Sequence, residues 1–450
     1  MDLKRQKFLV FGLSKSGVAA AKFLLSRGAS VSVYEELESE KIGENKTMLV
    51  ALGAKVLNKE DDKTACDVLV LSPGVPINHP LAVEYKKNRR RVIGELELGA
   101  AFVKTPIVAV TGTNGKTTTC NLISEMLTAG GVANRLAGNI GSPISGEVDE
   151  LSDKVAVTEV SSFQLETTHL FTPHVACVLN IAPDHLDRHY TMENYIYLKK
   201  RILKNMRESE YAVLNYDDEA VRLFADDAKC RVVWFSEREK VSGAYIEDGK
   251  LFFRGEYVCD MSAVNLGGVH RAGNALAAVA AAGLLGVDKA ATASVLKGFK
   301  GVRHRNEFVR TVDGVSFYND SKGTNTAAAL AAAQSMRAPT VMILGGKDKG
   351  EDYFPLFEGL KSTFVTGVVL VGESRYKMLD AAGRSGFSNI TVTSDFSAAV
   401  RIAKMLAEKG GNVLLSPAAA SFDMFGGYEE RGEVFCRIVE GLYAETETEG

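Results

Sequence analysis

The chain has 450 residues, 46% hydrophobic and 24% charged, which is the balance of a globular protein with about three domains of roughly 150 residues. Lys and Arg number 53 against 56 Asp and Glu, and the formal net charge of −3 excludes binding to nucleic acid or anionic membranes through bulk positive charge. No apolar run reaches the roughly 18 residues that a membrane-spanning helix needs. Six scattered cysteines without a CxxC pair indicate a reducing compartment, so we expect a soluble cytoplasmic protein.

Short apolar runs alternate with helical stretches along the chain, a pattern typical of α/β domains with parallel sheets. Helices are predicted at about 18–26, 117–129 and 275–286. Strands are predicted at 8–11, 30–34, 68–71, 107–110, 155–160, 175–180, 315–318, 341–344, 368–371 and 413–415. The pattern restarts near residues 94 and 301. We therefore predict three domains, at 1–94, 95–301 and 302–450.

The sharpest motif is a glycine turn between a predicted strand and a predicted helix, Thr111-Gly112-Thr113-Asn114-Gly115-Lys116-Thr117. Backbone N–H groups of such a turn, together with the helix dipole, bind phosphate oxygens. Lys116 can reach the β- and γ-phosphates of a nucleotide, and the Thr117 hydroxyl can coordinate Mg²⁺. Val110 stands where the common form of this loop has glycine, so the loop is a variant. Its position after a strand and before a helix favours a nucleotide site over a plain glycine turn.

Two polar residues follow neighbouring strands in the same segment. Glu159 ends one predicted strand, and His185 comes shortly after another. The carboxyl ends of parallel strands lie along one edge of a sheet, so both side chains are expected to face the phosphate loop. Each alone would be a helix-end residue, but together they predict a Mg²⁺ site. His169 and His174 lie in a connecting segment and receive no role.

These residues resemble the ATP-dependent Mur ligases of peptidoglycan synthesis, a superfamily that includes the folylpolyglutamate synthases. The resemblance runs from about residue 8 to 440. Beyond the phosphate loop, it rests on the motifs Glu159-Val160-Ser161-Ser162-Phe163-Gln164-Leu165-Glu166, Asn319-Asp320-Ser321-Lys322-Gly323-Thr324-Asn325 and Leu414-Leu415-Ser416-Pro417-Ala418-Ala419-Ala420-Ser421-Phe422-Asp423. Within the family, the chain is most similar to members that add D-glutamate to UDP-N-acetylmuramoyl-L-alanine. The alternative is another Mur-type or folylpolyglutamate-type amide ligase.

The resemblance implies an α/β fold with three domains: a Rossmann-like N-terminal domain for the UDP substrate, a central P-loop mononucleotide-binding domain, and a Rossmann-like C-terminal domain for the amino acid. In this family the γ-phosphoryl group of ATP moves to a substrate carboxylate, and an amine attacks the resulting acyl phosphate. Such catalysis consists of positioning and of neutralising phosphate charge. The substrates would be small molecules, and the chain would act as a monomer.

The resemblance implies ATP and two Mg²⁺ ions as cofactors. It also implies a lysine that is carbamylated by CO₂. Alignment on Glu193-Asn194-Tyr195 favours Lys199 for the carbamate, with Lys200 as the neighbouring alternative. An ammonium beside two metal ions would be repelled, whereas a carbamate is an anionic oxygen donor.

The resemblance also implies roles for individual residues. The catalytic residues would be Lys116, Asn139, His185 and Lys199. ATP would contact Gly112, Thr113, Asn114, Gly115, Lys116, Thr117, Thr118, Asn274, Arg305 and Asp320. The Mg²⁺ ligands would be Thr117, Glu159, His185 and Lys199 as a carbamate. The UDP substrate would contact Ser14, Lys15, Ser16, Ser72, Gly74, Asn139 and Ser161. The amino acid would contact Lys322, Thr324, Lys349, Ser421, Phe422 and Tyr428, with Lys347 as the alternative to Lys349.

Two other functions fit parts of the sequence less well. The loop Gly12-Leu13-Ser14-Lys15-Ser16-Gly17, with Glu35 in the position of a ribose-binding acid, is a weak signal for a dinucleotide-dependent oxidoreductase. That function would leave the phosphate loop and Glu159 without a role. Family members have Thr-Arg after the acid where this chain has Glu36-Leu37, so no uracil contact is assigned there. A non-catalytic nucleotide switch is disfavoured because all the expected metal and phosphate ligands are present.

Overall fold

The computed structural model describes residues 3–264, 271–299, 301–348 and 350–442, apart from the side chains of Asp187 and Arg271. The chain divides into two compact units, Met1–Val264 with Ala272–Phe299 and Asn265–Arg271 with Lys300–Gly450. Within the described residues, every helix is too short or too polar to cross a membrane. Three sheets are present, two in the first unit and one in the second.

The first sheet contains five parallel strands. They are β1 (Lys7–Phe11), β2 (Ser30–Tyr34), β3 (Lys55–Val56), β4 (Val68–Leu71) and β5 (Arg91–Gly94). Its helices are α1 (Lys15–Ser26), α2 (Glu40–Ala51), α3 (Pro80–Lys87) and α4 (Glu95–Ala100). The strand order is β3-β2-β1-β4-β5, so the direction of winding reverses between β1 and β4. Ligands of open α/β sheets bind at the carboxyl end of the strands at such a point.

The second sheet has nine strands. They are β6 (Ile107–Thr111), β7 (Asn134–Gly138), β8 (Val155–Glu159), β9 (Val175–Val178), β10 (Tyr211–Asn215), β11 (Arg231–Ser236), β12 (Ala244–Glu247), β13 (Lys250–Phe253) and β14 (Glu256–Asp260). The order is β14-β13-β12-β11-β10-β9-β6-β8-β7, with antiparallel pairing only at β12-β13-β14. Strand β6 therefore lies between β8 and β9, and the ends of those strands flank the chain that leaves β6.

Eight α-helices accompany this sheet. They are α5 (Lys116–Ala129), α6 (Ile144–Glu147), α7 (Ser162–Leu165), α8 (Leu186–His189), α9 (Met192–Lys200), α10 (Glu219–Arg222), α11 (Arg271–Leu284) and α12 (Lys289–Gly298). Strands β6, β8 and β9 are buried along their whole length, which is typical of parallel strands covered by helices on both faces.

The third sheet belongs to the second unit. Its strands are β15 (Glu307–Val312), β16 (Val315–Asn319), β17 (Thr340–Leu344), β18 (Val365–Leu370), β19 (Ile390–Val392) and β20 (Asn412–Leu415), in the order β15-β16-β20-β17-β18-β19. Among the described strands of this sheet, only β15 and β16 pair antiparallel. The helices are α13 (Thr326–Ser335), α14 (Phe354–Leu360), α15 (Arg375–Ser385), α16 (Phe396–Leu406) and α17 (Tyr428–Glu440). They cover both faces, and each face has its own apolar core.

The α/β fold class is confirmed, and each predicted strand overlaps a strand of the structure. The helix predicted at residues 191–201 overlaps α9, whereas the prediction assigned no element at the positions of helix α2 or of the antiparallel hairpins β12-β13-β14. The sheets begin and end at residues compatible with cuts at 94 and 301, and both domain boundaries stay predictions.

Two buried glutamates on α4 attach this helix to the second sheet. The Glu97 carboxylate accepts hydrogen bonds from the backbone N–H groups of His169, Leu170 and Phe171, at 2.9, 2.8 and 3.0 Å. The Oε1 atom of Glu95 accepts the backbone N–H of Ser145 at 2.7 Å, and its Oε2 atom is buried without a partner. Burial raises the pKa of Glu95 to about 7.

This raised pKa of Glu95 predicts a pH-dependent stability. The unfolded chain releases this proton near pH 4.5, whereas the folded chain holds it until about pH 7. Between these values the folded state binds more protons, so stability falls as pH rises, by about 3 kcal/mol in total. Glu95→Gln should therefore be more stable than the native chain at pH 8 and similar to it below pH 4.5, measured by urea unfolding. Glu60→Gln, at an exposed position, is the control. If the difference in stability between Glu95→Gln and the native chain were the same at both pH values, the raised pKa of Glu95 would be contradicted.

Candidate functional site

The glycine turn after β6 bends the chain from a buried strand into α5. Gly115, the N-cap of α5, has a φ of +85°, in the left-handed region that glycine adopts without strain. A Cβ atom at Gly115 would lie 2.1 Å from Oδ1 of Asn274. Asn274, a predicted ATP contact, therefore packs directly against the phosphate loop, and a side chain at Gly115 would displace it.

Asn180, just after β9, holds the other side of the turn. Its backbone carbonyl accepts the N–H of Thr113 at 2.9 Å. Its side-chain amide accepts the N–H of Asn114 at 2.8 Å and donates to the carbonyl of Asn114 at 3.1 Å. Sequence reasoning did not single out this residue, although a polar residue at the carboxyl end of a buried strand was an available signal. The turn is thus held in shape by the strand beside it.

Two side chains with oxygen atoms that could bind a metal, Thr117 and Glu159, are in contact where α5 begins. The Thr117 hydroxyl donates to Oε2 of Glu159 at 2.7 Å, and the amide of Asn139 donates to Oε1 of Glu159 at 2.7 Å. Thr117 and Glu159 are both buried. Hydroxyl and carboxylate oxygens are the ligands that Mg²⁺ prefers, so this pair fits that ion. Among the described residues, no group of three or more His, Cys, Asp or Glu side chains could hold a metal alone, and Mg²⁺ commonly completes its coordination with phosphate and water.

Two lysine ammonium groups share one backbone carbonyl of the loop. The Nζ atom of Lys116 lies 2.9 Å from the Gly112 oxygen and 2.8 Å from the Thr113 oxygen. The Nζ atom of Lys199 lies 2.8 Å from the same Gly112 oxygen. Burial, and next the charge of Lys116, hold the pKa of Lys199 well below its usual range. The neighbouring Lys200 instead pairs with Asp227 near the surface.

Tyr195 and Asp184 are neighbours of Lys199 that sequence reasoning missed. The Tyr195 ring centre lies 4.7 Å from the Lys199 ammonium, and its hydroxyl lies 3.1 Å from the Thr113 hydroxyl. The carboxylate of Asp184 acts on Lys199 in the opposite sense to Lys116 and favours its charged form. Tyr195 stands four residues before Lys199 on α9, a spacing that places two side chains on one helix face.

His185 lies at the same edge of the sheet. It precedes α8 with a φ of +52°, and its ring centre is 4.8 Å from that of Phe163, on the helix that follows Glu159. Its Nε2 atom is 3.4 Å from a carboxylate oxygen of Asp184. Ser161, a predicted substrate contact, caps α7 through a reciprocal pair of hydrogen bonds with Gln164.

Five of the predicted UDP-substrate residues lie at the switch point of the first sheet, whereas Asn139 and Ser161 belong to the segment of the second sheet. The Ser72 hydroxyl donates to the Gly12 carbonyl at 2.7 Å, and the Lys15 ammonium donates to the carbonyl of Gly141, in the segment that follows Asn139. Ser14 caps α1, Ser16 lies in its first turn, and Gly74 is exposed. The turn is tight, because a Cβ atom at Gly17 would lie 1.7 Å from the Gly12 oxygen.

Glu35 has a local role in this structure. Its carboxylate accepts the backbone N–H groups of Leu13, Glu36 and Leu37, at 2.7, 2.9 and 3.0 Å. These bonds hold the carboxylate against the backbone of its own loop and of the loop after β1. The arrangement gives no support to the dinucleotide interpretation of this residue.

The predicted residues of the second unit gather around the ends of β16 and β20. Asp320 accepts the Ser416 hydroxyl at 2.6 Å, and burial raises the pKa of Asp320 to about 6 although the charge of Arg305 lowers it. The Lys322 ammonium lies 5.2 Å from the Tyr428 ring centre. Thr324 follows Lys322 in the same loop, with its backbone N–H bonded to the Lys322 carbonyl.

Arg431, which sequence reasoning missed, connects the two motifs that are predicted to bind the amino acid. This fully buried guanidinium donates to the carbonyl and hydroxyl of Ser321, at 2.8 and 3.0 Å, and to the carbonyls of Ala419 and Ala420, at 3.1 and 3.2 Å. It thereby holds the loop of Lys322 against the loop that leads to Ser421.

Of the remaining predicted residues, Ser421 is buried and Phe422 is 72% exposed. Lys347 forms an ion pair with Glu373 at 2.6 Å, while its alternative, Lys349, lies outside the described residues.

Three family models match successive parts of the chain. They are the MurD-like N-terminal domain of Mur ligases at residues 6–94, the Mur ligase middle domain at 110–282 and the Mur ligase glutamate ligase domain at 304–419. Relatives called UDP-N-acetylmuramoylalanine–D-glutamate ligase are similar over almost the whole chain. The relative from Thermoanaerobacter sp. (strain X514) is 42% identical and covers 98% of this chain and 100% of its own. That from Pelotomaculum thermopropionicum is 43% identical and covers 98% and 99%.

Solved structures share the fold at lower identity. UDP-N-acetylmuramate-alanine ligase MurC from Thermotoga maritima has a TM-score of 0.60 at 18% identity, covering 97% of this chain and 99% of its own. MurF from Acinetobacter baumannii has a TM-score of 0.58 at 17% identity, covering 96% and 93%. At these identities the similarity establishes the fold alone.

The pairing of Thr117 with Glu159 predicts a Mg²⁺-dependent nucleotide affinity. Glu159→Gln keeps the size of the side chain and removes its charge. The factor by which Mg²⁺ increases the affinity for ATP should therefore be at least about tenfold smaller in this variant than in the native chain. Calorimetric titration of ATP with and without Mg²⁺ measures the difference. Glu125→Gln, at an exposed position of α5, is the matched control. The same Mg²⁺ effect in Glu159→Gln and the native chain would exclude this carboxylate as a ligand.

Proposed function

The chain belongs to the Mur ligase family, and we propose that it joins D-glutamate to UDP-N-acetylmuramoyl-L-alanine, with conversion of ATP to ADP and phosphate, as a step of peptidoglycan synthesis. Mur ligases use ATP and Mg²⁺. The structural observation that carries the proposal is the contact between Thr117 and Glu159, at 2.7 Å, beside a loop suited to phosphate. The acceptor amino acid is proposed from the relatives, which bear the name of this reaction.

The phosphate loop would activate the substrate carboxylate. In the first step a carboxylate oxygen attacks the γ-phosphorus and ADP leaves. In the second step the amine attacks the acyl carbon, phosphate leaves, and the nitrogen loses a proton. Lys116, which now bonds two carbonyls of its own loop, would turn to the β- and γ-phosphates. Thr117, Glu159 and His185 would hold Mg²⁺, which would supply positive charge to neutralise the phosphates. The Asn139 amide donates to Glu159 and would in addition contact the acyl group.

Lys199 is proposed to carry a carbamate. A neutral amine attacks CO₂ to give an N-carboxylate and releases one proton. Burial and the charge of Lys116 lower the pKa of Lys199, and both therefore favour the neutral amine. The product is an oxygen donor at a position where an ammonium would be repelled by a bound metal ion. Lys200, paired with Asp227, has neither the burial nor the neighbour.

Removal of Lys199 should show this chemistry directly. We expect Lys199→Ala to lower turnover by about a hundredfold or more, because a metal-positioning group is lost. In addition, ¹³C NMR of the native protein under ¹³CO₂ should show a carbamate signal that is absent in Lys199→Ala. Lys200→Ala is the matched control and should keep both turnover and signal. A signal that persists in Lys199→Ala would assign the carbamate to another residue.

The amino acid is proposed to bind in the second unit. Lys322, Thr324, Ser421, Phe422, Tyr428 and Lys349 would surround it, with Lys347 as the alternative to Lys349. Two ammonium groups and hydroxyl donors suit the two carboxylates of glutamate. Asn274, Arg305 and Asp320 would contact the nucleoside of ATP. A single chain carries residues for every substrate, so the working unit is proposed to be a monomer, in the cytoplasm where ATP is available.

A panel of acceptor amino acids tests the function. With ATP, Mg²⁺ and UDP-N-acetylmuramoyl-L-alanine present, D-glutamate should release phosphate, and L-glutamate, L-lysine and D-alanine should not. Phosphate release is followed by a coupled assay, with the product identified by mass spectrometry. Release with only another amino acid would make this chain a Mur-type ligase of different specificity. Release with none would refute the ligase function.

A further inference from the structure

The short helix α8 is held between two residues in the left-handed region. His185 before it has a φ of +52° and Tyr190 after it has a φ of +66°. Such conformations are costly for residues other than glycine and persist only where surrounding contacts fix them. The contacts of this segment reach two places at once, the edge that carries the phosphate loop and the first-sheet loop that carries Gly74.

Arg188 is the residue that touches both places. On the side of the second sheet, its Nη2 and Nε atoms donate to the Glu166 carboxylate at 2.7 and 3.3 Å. On the side of the first sheet, its guanidinium donates to the carbonyls of Gly74 and Val75, at 3.4 and 3.1 Å. Its side chain is only 16% exposed and that of Glu166 6%. The hydroxyl of Tyr190, accepting from Asn78 at 3.1 Å, makes a second link to the same loop.

One aromatic ring connects Arg188 to the expected metal ligand. The Arg188 guanidinium lies 5.2 Å from the centre of the Phe163 ring, and the His185 ring lies 4.8 Å from the same centre. His189 packs against Phe163 at 5.2 Å, and its two ring nitrogens lie 2.9 Å from the Ser162 hydroxyl and 3.4 Å from Glu166. Arg188 is therefore one side chain away from His185 and in direct contact with the loop of Gly74.

We propose that Arg188 is a positioning residue that couples binding of the UDP substrate at the Gly74 loop to binding of Mg²⁺ and nucleotide at the phosphate loop. This inference rests on the proposed function. The guanidinium is planar and carries five N–H donors in a fixed fork, so it can satisfy Glu166 and the two carbonyls together only in one arrangement of the two loops. A ligand that fixes one loop in that arrangement favours the other ligand, and the coupling must be equal in both directions.

A purely structural ion pair would behave differently. If Arg188 only stabilised the fold, its removal would lower the unfolding temperature. The factor by which one ligand increases the affinity for the other would then stay unchanged. The informative quantity is thus the factor by which one ligand strengthens the binding of the other. This factor is independent of how much folded protein a preparation contains.

The experiment measures that factor by calorimetry on the full chain. UDP-N-acetylmuramoyl-L-alanine is titrated with and without Mg²⁺ and a non-hydrolysable ATP analogue, and the analogue is then titrated with and without the UDP compound. For the native chain we expect the second ligand to bind at least about fivefold more tightly in the presence of the first. In Arg188→Met we expect the factor to fall to about one. Arg188→Lys, which keeps the charge but not the fork, should give a value between the two.

Arg27→Met is the matched control, because Arg27, the residue that follows α1 of the first sheet, also forms an ion pair with a carboxylate, that of Asp149 between α6 and β8. It should keep the native factor. A native factor in Arg188→Met would overturn the coupling, as would a factor of one in the native chain. If Arg188→Met does not fold, a native coupling factor in Arg188→Lys would likewise overturn the proposal. Failure of the native chain to bind the UDP compound at all would instead refute the proposed substrate.

Discussion

The site depends on one constraint of sheet geometry, the position of β6 between β8 and β9. Parallel strands present their carboxyl ends along one edge, so the order fixes which side chains can meet at the glycine turn. Glu159 at the end of β8 reaches Thr117 on one side of the turn, and Asn180 after β9 holds the other side. A change of strand order would separate these groups even if every residue were kept. The strand order is therefore as necessary for this site as the identity of its residues.

The electrostatics of the edge follow from its low exposure to water. Two ammonium groups at 2.9 and 2.8 Å from the Gly112 oxygen repel each other strongly when water is excluded. Burial, and next the charge of Lys116, lower the pKa of Lys199, and the proposed reaction of its amine with CO₂ depends on this lowered pKa. An arriving phosphate would attract Lys116 away from the shared carbonyl. Both lysines thus lie at the loop that is proposed to bind phosphate.

The sequence predicted the parts of the fold and site that are local. Hydrophobic runs located the strands, and the turn motif with Lys116 and Thr117 located the phosphate loop, because a few adjacent residues determine each of them. The hairpins β12-β13-β14 escaped prediction because no short pattern there stood out from the surrounding chain. Arg431 and Asn180 escaped it because their roles are contacts with loops distant in sequence, such as Ser321 with Arg431. No spacing rule connects such residues.

Arg431 and Arg188 show why the contacts that the sequence did not predict are those between residues distant in the chain. Arg431 and Arg188 are each positioned by a helix, α17 or α8, and each donates to backbone carbonyls of loops that carry predicted substrate contacts. A carbonyl accepts the same bond whichever side chain its residue carries, so the sequence of the accepting loop contains no trace of the contact. The planar fork of arginine suits this task because it satisfies several carbonyls at fixed angles. Loops that must bind a ligand cannot be stiffened by their own apolar packing, and a buried arginine from a neighbouring helix supplies that stiffness without occupying the ligand's place.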